Sequence, residues 1–288
     1  MKRTGIFLII ILFISTAFKS DKQAYQFFNE KGKKEKYKKV LKAALNADVV
    51  FFGEQHNNPV CHWLQYELTK DLYNEKDSML VLGAEMFETD DQLLLDEYLS
   101  GLIKQSNFEK EAKLWTNYRT DYKPLVEFAK KNELEFIATN VPRRYAAMVN
   151  KGGFEALDSL SPEAKELLPP LPPVYDPELE GYKKMMEMMG GMGHASENLP
   201  KAQALKDATM AYNILKNLRK GELFIHYNGA YHSKNFEGIV WYLLQENPEL
   251  EILTIANEEQ SQIDSLKSIH EGIASFILVT PESMTKTY

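Results

Sequence analysis

Val49-Val50-Phe51-Phe52-Gly53-Glu54-Gln55-His56 is an apolar run that breaks into a glycine, a carboxylate and an imidazole. Four apolar residues without polar alternation read as a strand covered on both faces. The polar residues after it sit where open α/β sheets build ligand sites, at the carboxyl end of a strand. The same form recurs far along the chain, where Leu223-Phe224-Ile225 leads into Gly229-Ala230-Tyr231-His232. Two strand–turn units ending in Gly-x-x-His imply that the two halves of the chain meet at one place.

The rest of the chain supplies a sheet for these units. Short apolar runs predict strands at 49–54, 79–86, 136–140, 223–228, 250–256 and 275–280. Between them, helical periodicity predicts helices over 59–75 (Val60, Leu64, Leu68, Leu72), 90–104, 122–132, 142–151, 198–219 and 234–246. Asn198-Leu199-Pro200 has the form of an N-cap with an early proline. Strands alternating with helices argue for an α/β fold, a mostly parallel sheet with helices on both faces. One region departs from this order. Residues 158–200 hold Leu168-Pro169-Pro170-Leu171-Pro172-Pro173 and the methionines 185, 186, 188, 189 and 192. They read as a Pro/Met-rich helical insertion in a single domain spanning 24–288. Methionine packs adaptably, so the cluster suits the wall of a flat apolar ligand site, a mobile lid, or an ordinary packed helix.

The first residues read as a signal peptide. Lys2 and Arg3 precede the 13-residue apolar run Gly5 to Ala17. A bilayer-spanning helix needs about 20 such residues. Ser15-Thr16-Ala17 supplies the small residues of a cleavage site, so residues 1–17 are expected to be removed after Ala17, with an uncleaved anchor as the alternative. The protein is then exported to the periplasm or cell envelope. It is no obvious lipoprotein, because its one cysteine is Cys61. That cysteine lies among Val60, Trp63, Leu64 and Leu68 and reads as a buried small hydrophobe. Net charge is −7 and becomes two units more negative without Lys2 and Arg3. Such an acidic chain is a poor electrostatic partner for nucleic acid.

The polar residues at the strand ends make up the candidate site. The first strand presents Glu54 and His56, the second Glu85, and the third Asn140 followed by Arg143 and Arg144. The fourth presents His226, Tyr227, Asn228 and then His232, and the fifth Asn257, Glu258 and Glu259. Glu54 and Glu85 are acids inside apolar stretches, and a buried carboxylate is costly unless paired or metal-bound. Histidine with carboxylate suits zinc, manganese or iron, and a metal-bound water beside a glutamate base gives hydrolysis. His56 and His62 are six apart and share no zincin-type helix face. His62 and His270 read as ordinary histidines, and His194 as a distal candidate ligand.

Taken together, FFGEQH at 51–56, Glu85-Met86-Phe87 with Asp91-Gln92, TNVPR at 139–143, Asp207-Ala208-Thr209-Met210-Ala211 and the Asn228 to His232 turn resemble a known superfamily. It comprises ChaN-like haem-binding proteins, Tiki metalloproteases, TraB-type proteins and erythromycin-esterase-like enzymes, and the pattern resembles its ChaN branch. The resemblance implies a three-layer α/β/α fold and an exported haem-binding protein of iron acquisition, with an outer-membrane haem or iron receptor as partner and a homodimer that sandwiches its ligand. It implies a tyrosine on the haem iron, Tyr231 or Tyr227, with Asn140 and Asn228 nearby and Arg143 or Arg144 on a propionate. The Tiki-like relatives imply the alternative, a metal-dependent hydrolase with His56 and His232 as metal ligands and Glu54 and Glu85 as ligand or base.

Overall fold

The computed structural model describes residues 22–190 and 196–288. The expected signal peptide and His194 lie outside these residues. The strands are β1 (Gln26–Asn29), β2 (Lys34–Glu35), β3 (Val49–Glu54), β4 (Leu80–Glu88), β5 (Phe136–Asn140), β6 (Leu223–Gly229), β7 (Ile252–Gln260) and β8 (Phe276–Pro281). They form one sheet in the order β2-β1-β8-β7-β3-β6-β4-β5. The six strands from β8 to β5 run parallel, and β1 joins β8 and β2 in antiparallel pairs.

The helices are α1 (Tyr37–Ala44), α2 (Pro59–Lys76), α3 (Gln92–Leu99), α4 (Gln105–Glu111), α5 (Lys123–Lys131), α6 (Arg143–Gly152), α7 (Pro162–Lys165), α8 (Glu180–Gly190), α9 (Leu199–Asn217) and α10 (Ile239–Glu246). Alternate residues of the strands feed two cores. Val50, Phe52, Leu82, Phe136, Ile225 and Tyr227 pack under α1 to α5. Val49, Phe51, Val81, Ile137 and Phe224 pack under α9 and α10. This makes the three-layer α/β/α arrangement and explains why the strands lack alternation: both faces are covered.

Some element boundaries differ from the expected ones. β1 and β2 have no apolar run long enough to announce them, and β2 is two polar residues. The span 90–104 breaks at Leu99, and α4 comes after it. In the span 234–246 the α-helix begins only at Ile239, after a 3-10 turn at Lys234–Phe236, because Asn235 and Phe236 hold φ of 57° and 58°. β7 runs on to Gln260, so Asn257, Glu258 and Glu259 belong to the strand rather than to the loop beyond it. In the insertion, Leu168 packs with Val141, Tyr145, Val149, Ala202 and Leu205, which ties that segment to α6 and α9.

The feature that builds the site is strand order. β6 is inserted between β3 and β4. Gly53 lies beside Asn228 in the ladder and Glu54 beside Gly229, so the two Gly-x-x-His units end side by side. Past the first unit, the Asn58 side chain accepts a hydrogen bond from Cys61 N at 2.9 Å and Pro59 occupies the first turn of α2. This N-cap and early proline turn the chain sharply away from the strand end.

Candidate functional site

Each glycine of the two units makes room for the other unit. A Cβ on Gly53 would lie 2.9 Å from Ala230 Cα and 3.0 Å from the Ile255 carbonyl oxygen. A Cβ on Gly229 would lie 2.8 Å from His56 Nε2 and 3.4 Å from Glu85 Oε2. The two turns are therefore interlocked at backbone contact distance, across the carboxyl edge of the sheet.

Above them opens a cleft of about 800 Å³. Its lining includes Glu54, His56, Glu85, Asn140, Arg143, Tyr231 and His232. Leu114, Trp115 and Val141 add apolar surface, and Lys206 and Lys234 add cations. The volume falls within the roughly 300–1,000 Å³ typical of small-molecule and cofactor sites.

Two carboxylate–imidazole units form its floor. In the first, Glu54 is buried and accepts from His56 Nδ1 at 2.9 Å, Tyr122 Oη at 2.7 Å and Gln65 Nε2 at 2.6 Å. Burial pushes this carboxyl up, but His62, His56 and Gln65 more than offset it and hold it below the usual range. His56 stays one-third exposed, in a T-shaped contact with Trp115, ring centroids 4.9 Å apart. Burial lowers its affinity for a proton, yet Glu54 reverses the shift and raises it. Behind Glu54, His62 Nε2 donates to the His56 carbonyl at 3.1 Å and lies 3.5 Å from Asp121. Asn117 donates both to that carbonyl, at 2.9 Å, and to Asp121, at 2.7 Å. A π-helical turn, Tyr118–Tyr122, brings Asp121 and Tyr122 to these positions, in keeping with the frequent use of such turns at functional sites.

In the second unit His232 is buried between two acids. Its Nδ1 donates to Asp207 Oδ1 at 2.5 Å, and its Nε2 faces Glu85 Oε1 at 3.2 Å. Glu85 Oε2 also accepts from Gly229 N at 2.7 Å. Burial disfavours the imidazolium, but Glu85 and Asp207 outweigh it and push His232 up to about 10. Burial likewise opposes ionisation of Glu85, and His232 and His56 reverse this and hold it far below the carboxylate range. Asp207 moves the other way: burial raises it more than His232 lowers it.

Tyr231 is half-exposed and donates to the Gly181 carbonyl at 2.5 Å. Burial, with Asp207 and Glu237 nearby, pushes its phenol up to about 12. Asn140 Nδ2 donates to the Glu85 carbonyl at 3.0 Å, while its Oδ1 is buried without a partner. Arg143 Nε donates to Glu88 at 2.6 Å and leaves the rest of its guanidinium exposed.

The structure removes other expected members. Tyr227 is fully buried on the opposite face of β6, its hydroxyl 2.5 Å from Thr69 Oγ1, and it cannot reach a ligand in the cleft. Asn228 is buried beneath the turn, bonded to Gly229 O, Ser233 and His226, and does not line the cleft. Arg144 pairs with Asp90 and lies over the Tyr145 ring instead. Glu258 and Glu259 are engaged by Lys234 and Lys286. Neither Met185 nor Met186 lines the cleft.

The metal site also needs correction. Among the described residues, no three His, Cys, Asp or Glu side chains converge to hold an ion. The four expected ligands pair with each other, Glu54 with His56 and Glu85 with His232, and both ring nitrogens of His232 already face carboxylates.

Sequence reasoning missed several members. Asp207 interrupts the apolar face of α9 as Glu54 and Glu85 interrupt their strands, so the same signal marked it. Trp115, Asn117 and Tyr122 carry no such signal, because a loop and a π-helical turn bring them in.

An open, mostly parallel α/β sheet with a polar cleft across adjacent strand ends defines a strand-end ligand-binding protein. The chain belongs to the family described as haem-binding uptake, Tiki superfamily, ChaN, whose model matches residues 40–243. Its fold is similar to that of ChaN of Campylobacter jejuni, a structure showing cofacial heme binding, with a TM-score of 0.68 at 18% identity over 89% of this chain and 96% of that one. Erythromycin esterase EreC is a more distant structural neighbour, with a TM-score of 0.45 at 12% identity over 84% of this chain and 78% of that one. In sequence, the chain is 27% identical over 139 residues to RETICULATA-RELATED 5, a chloroplastic protein of Arabidopsis thaliana. That match covers 46% of this chain and spans about a fifth (19%) of the plant protein.

Proposed function

We propose that this protein binds haem in the strand-end cleft, is exported through its N-terminal leader, and serves haem or iron uptake. The observation that carries the reading is the lining of the cleft. Apolar surface from Leu114 and Trp115 suits a porphyrin face, and Arg143 and Lys206 suit its propionates. Tyr231 and His56 are the accessible oxygen and nitrogen donors. Bound haem would supply an iron centre able to accept an imidazole or phenolate donor. Tyr231 would hold it as the phenolate, after giving up its proton and its bond to Gly181. His56 is the neighbouring donor, its ring oriented by Glu54 in the manner of carboxylate-backed ligating histidines.

Titration of the purified protein with hemin tests the reading: a saturable Soret shift is expected, altered in Tyr231→Phe. An unsaturable, nonspecific response ends it. Sedimentation with and without hemin tests a ligand-bridged homodimer, and co-purification from envelope extracts tests a receptor partner. The mass of the protein recovered from its native envelope tests cleavage after Ala17.

A second reading, hydrolysis of an ester or peptide, is favoured by the Glu54–His56 pair, a buried carboxylate holding a cleft-facing imidazole as in general-base catalysis. Turnover lost in His56→Ala would support it. No turnover on a broad ester and peptide panel, with and without divalent ions, would end it.

A further inference from the structure

The first turn of the inserted helix α8 is hydrogen-bonded to residues of the site. Tyr182 is buried and donates its hydroxyl to Asp207 Oδ2 at 3.0 Å. The other oxygen of Asp207 receives His232 Nδ1–H, and His232 Nε2 faces Glu85. A hydroxyl from the insertion, a carboxylate from α9, an imidazole from the second Gly-x-x-His unit and a carboxylate from β4 thus form one continuous chain. The same turn of α8 is held twice more. The Glu237 carboxylate accepts from the N–H groups of Glu180 and Gly181 at 3.0 and 2.7 Å. It occupies the place where a helix start leaves its N–H groups without partners. Tyr231 donates to the Gly181 carbonyl.

A buried carboxylate with one donor on each oxygen has its plane fixed. Without the Tyr182 hydroxyl, Oδ2 of Asp207 would be left buried and unpaired, which a carboxylate relieves by rotating toward its remaining donor. That donor is His232, so the imidazole and its contact with Glu85 shift as well. We propose that Tyr182 is a positioning residue of the cleft: through Asp207, the insertion sets the orientation of His232 and Glu85. Tyr182 does not line the cleft and needs no contact with a ligand to act. The insertion is then part of the binding apparatus rather than a cover over it.

The proposal rests on the haem reading for one of its two readouts and is independent of it for the other. The first is hemin titration of Tyr182→Phe, followed by absorption. The second uses the ligand-free protein: the Gly229 amide, which donates to Glu85 Oε2, reports Glu85 directly through its hydrogen-exchange rate. Tyr175→Phe is the control, since Tyr175 packs its ring tilted against Tyr182, centroids 5.7 Å apart, and belongs to the same insertion without a hydrogen bond to Asp207. Tyr182→Phe is expected to speed Gly229 exchange about tenfold while core amides of β3 stay unchanged. It is also expected to weaken hemin about tenfold and displace the Soret maximum, with Tyr175→Phe behaving as wild type. Unchanged Gly229 exchange in a folded Tyr182→Phe protein overturns the proposal, whatever happens to hemin. If wild type binds no hemin, the haem reading fails, and faster Gly229 exchange still supports the positioning role. If Tyr182→Phe does not fold, Tyr182→Leu, which also lacks the hydroxyl and fits within the same space, is compared with Glu237→Gln. Local acceleration at Gly229 in the first alone supports the proposal, and equal acceleration in both refutes it.

Discussion

Replacing each motif glycine by alanine separates the two jobs of the interlocked turns. Neither glycine has a positive φ, so each substitution acts through space rather than backbone strain. In Gly53→Ala the new methyl meets Ala230 Cα at 2.9 Å and the Ile255 carbonyl at 3.0 Å. Both are backbone atoms of packed strands and turns and cannot swing aside. Overpacking of this kind costs about 1–3 kcal/mol, and the entropy gained from replacing glycine returns about 0.4–1 kcal/mol. A net loss of about 1–2 kcal/mol is expected from these terms. In Gly229→Ala the methyl meets His56 Nε2 at 2.8 Å, the end of a side chain that is free to rotate out. What is lost is the His56–Glu54 bond, about 1.5 kcal/mol at the weak end for a charged pair because His56 is partly solvated. The alanine gain offsets part of this, leaving stability within about 1 kcal/mol of wild type. The cleft loses an oriented imidazole, which is expected to weaken hemin about tenfold, or about 1.4 kcal/mol. Urea unfolding and hemin titration of both variants give the comparison. Gly53→Ala should lose stability and keep its affinity, and Gly229→Ala the reverse. Equal stability losses, or wild-type hemin binding by Gly229→Ala, would refute the interlocking argument.

The remaining predictions concern protons and the reassigned tyrosine. His232 is raised from 6.5 to about 10, so its contribution is full below about pH 6.5 and lost as pH rises through 10. The melting temperature is expected to fall over that window by calorimetry, and the slope to vanish in His232→Gln. Glu85, held low, contributes above its ordinary 4.5 and loses that contribution on acidification; Glu85→Gln is expected to remove part of the acid-side decline. Tyr231 sits at about 12, so taking up ferric iron as phenolate releases a proton, and hemin affinity should rise by up to about tenfold per pH unit between 6 and 9. Tyr231→Phe should abolish that slope, and a pH-independent affinity in wild type would rule out phenolate ligation. Tyr227→Phe removes a buried hydrogen bond worth about 1 kcal/mol and should leave the hemin spectrum unchanged.

The fold is legible in the sequence because its signal is redundant. Val49–Phe52 and Leu223–Ile225 announce buried strands by continuous apolar character, and both-face burial confirms the reason. β1 is illegible because its apolar run is short and it joins the sheet through β8 at the far end of the chain, and β2 because it is two polar residues paired only with β1. Within the site, the legible residues are those whose chemistry contradicts their surroundings: Glu54 and Glu85 are acids in apolar runs. Tyr227 is misplaced when proximity in sequence is weighed above strand parity. It shares a face with Ile225, under α2, and the cleft lies elsewhere. Tyr122 and Asn117 are invisible because a π-helical turn and the residue just before it, not a repeating pattern, deliver them.

The antiparallel pairing of β1 with β8 fastens two distant parts of the chain to each other. Phe27 and Phe28 are buried against residues that include Leu278, Ile277 and Val279. Contacts between residues so far apart in sequence close a long loop and form slowly. Without β8, the outer side of β7 has no neighbour and β1 has no sheet to join. A C-terminal truncation of about a dozen residues should cost far more than its length suggests, leaving an open parallel edge prone to pairing with other chains.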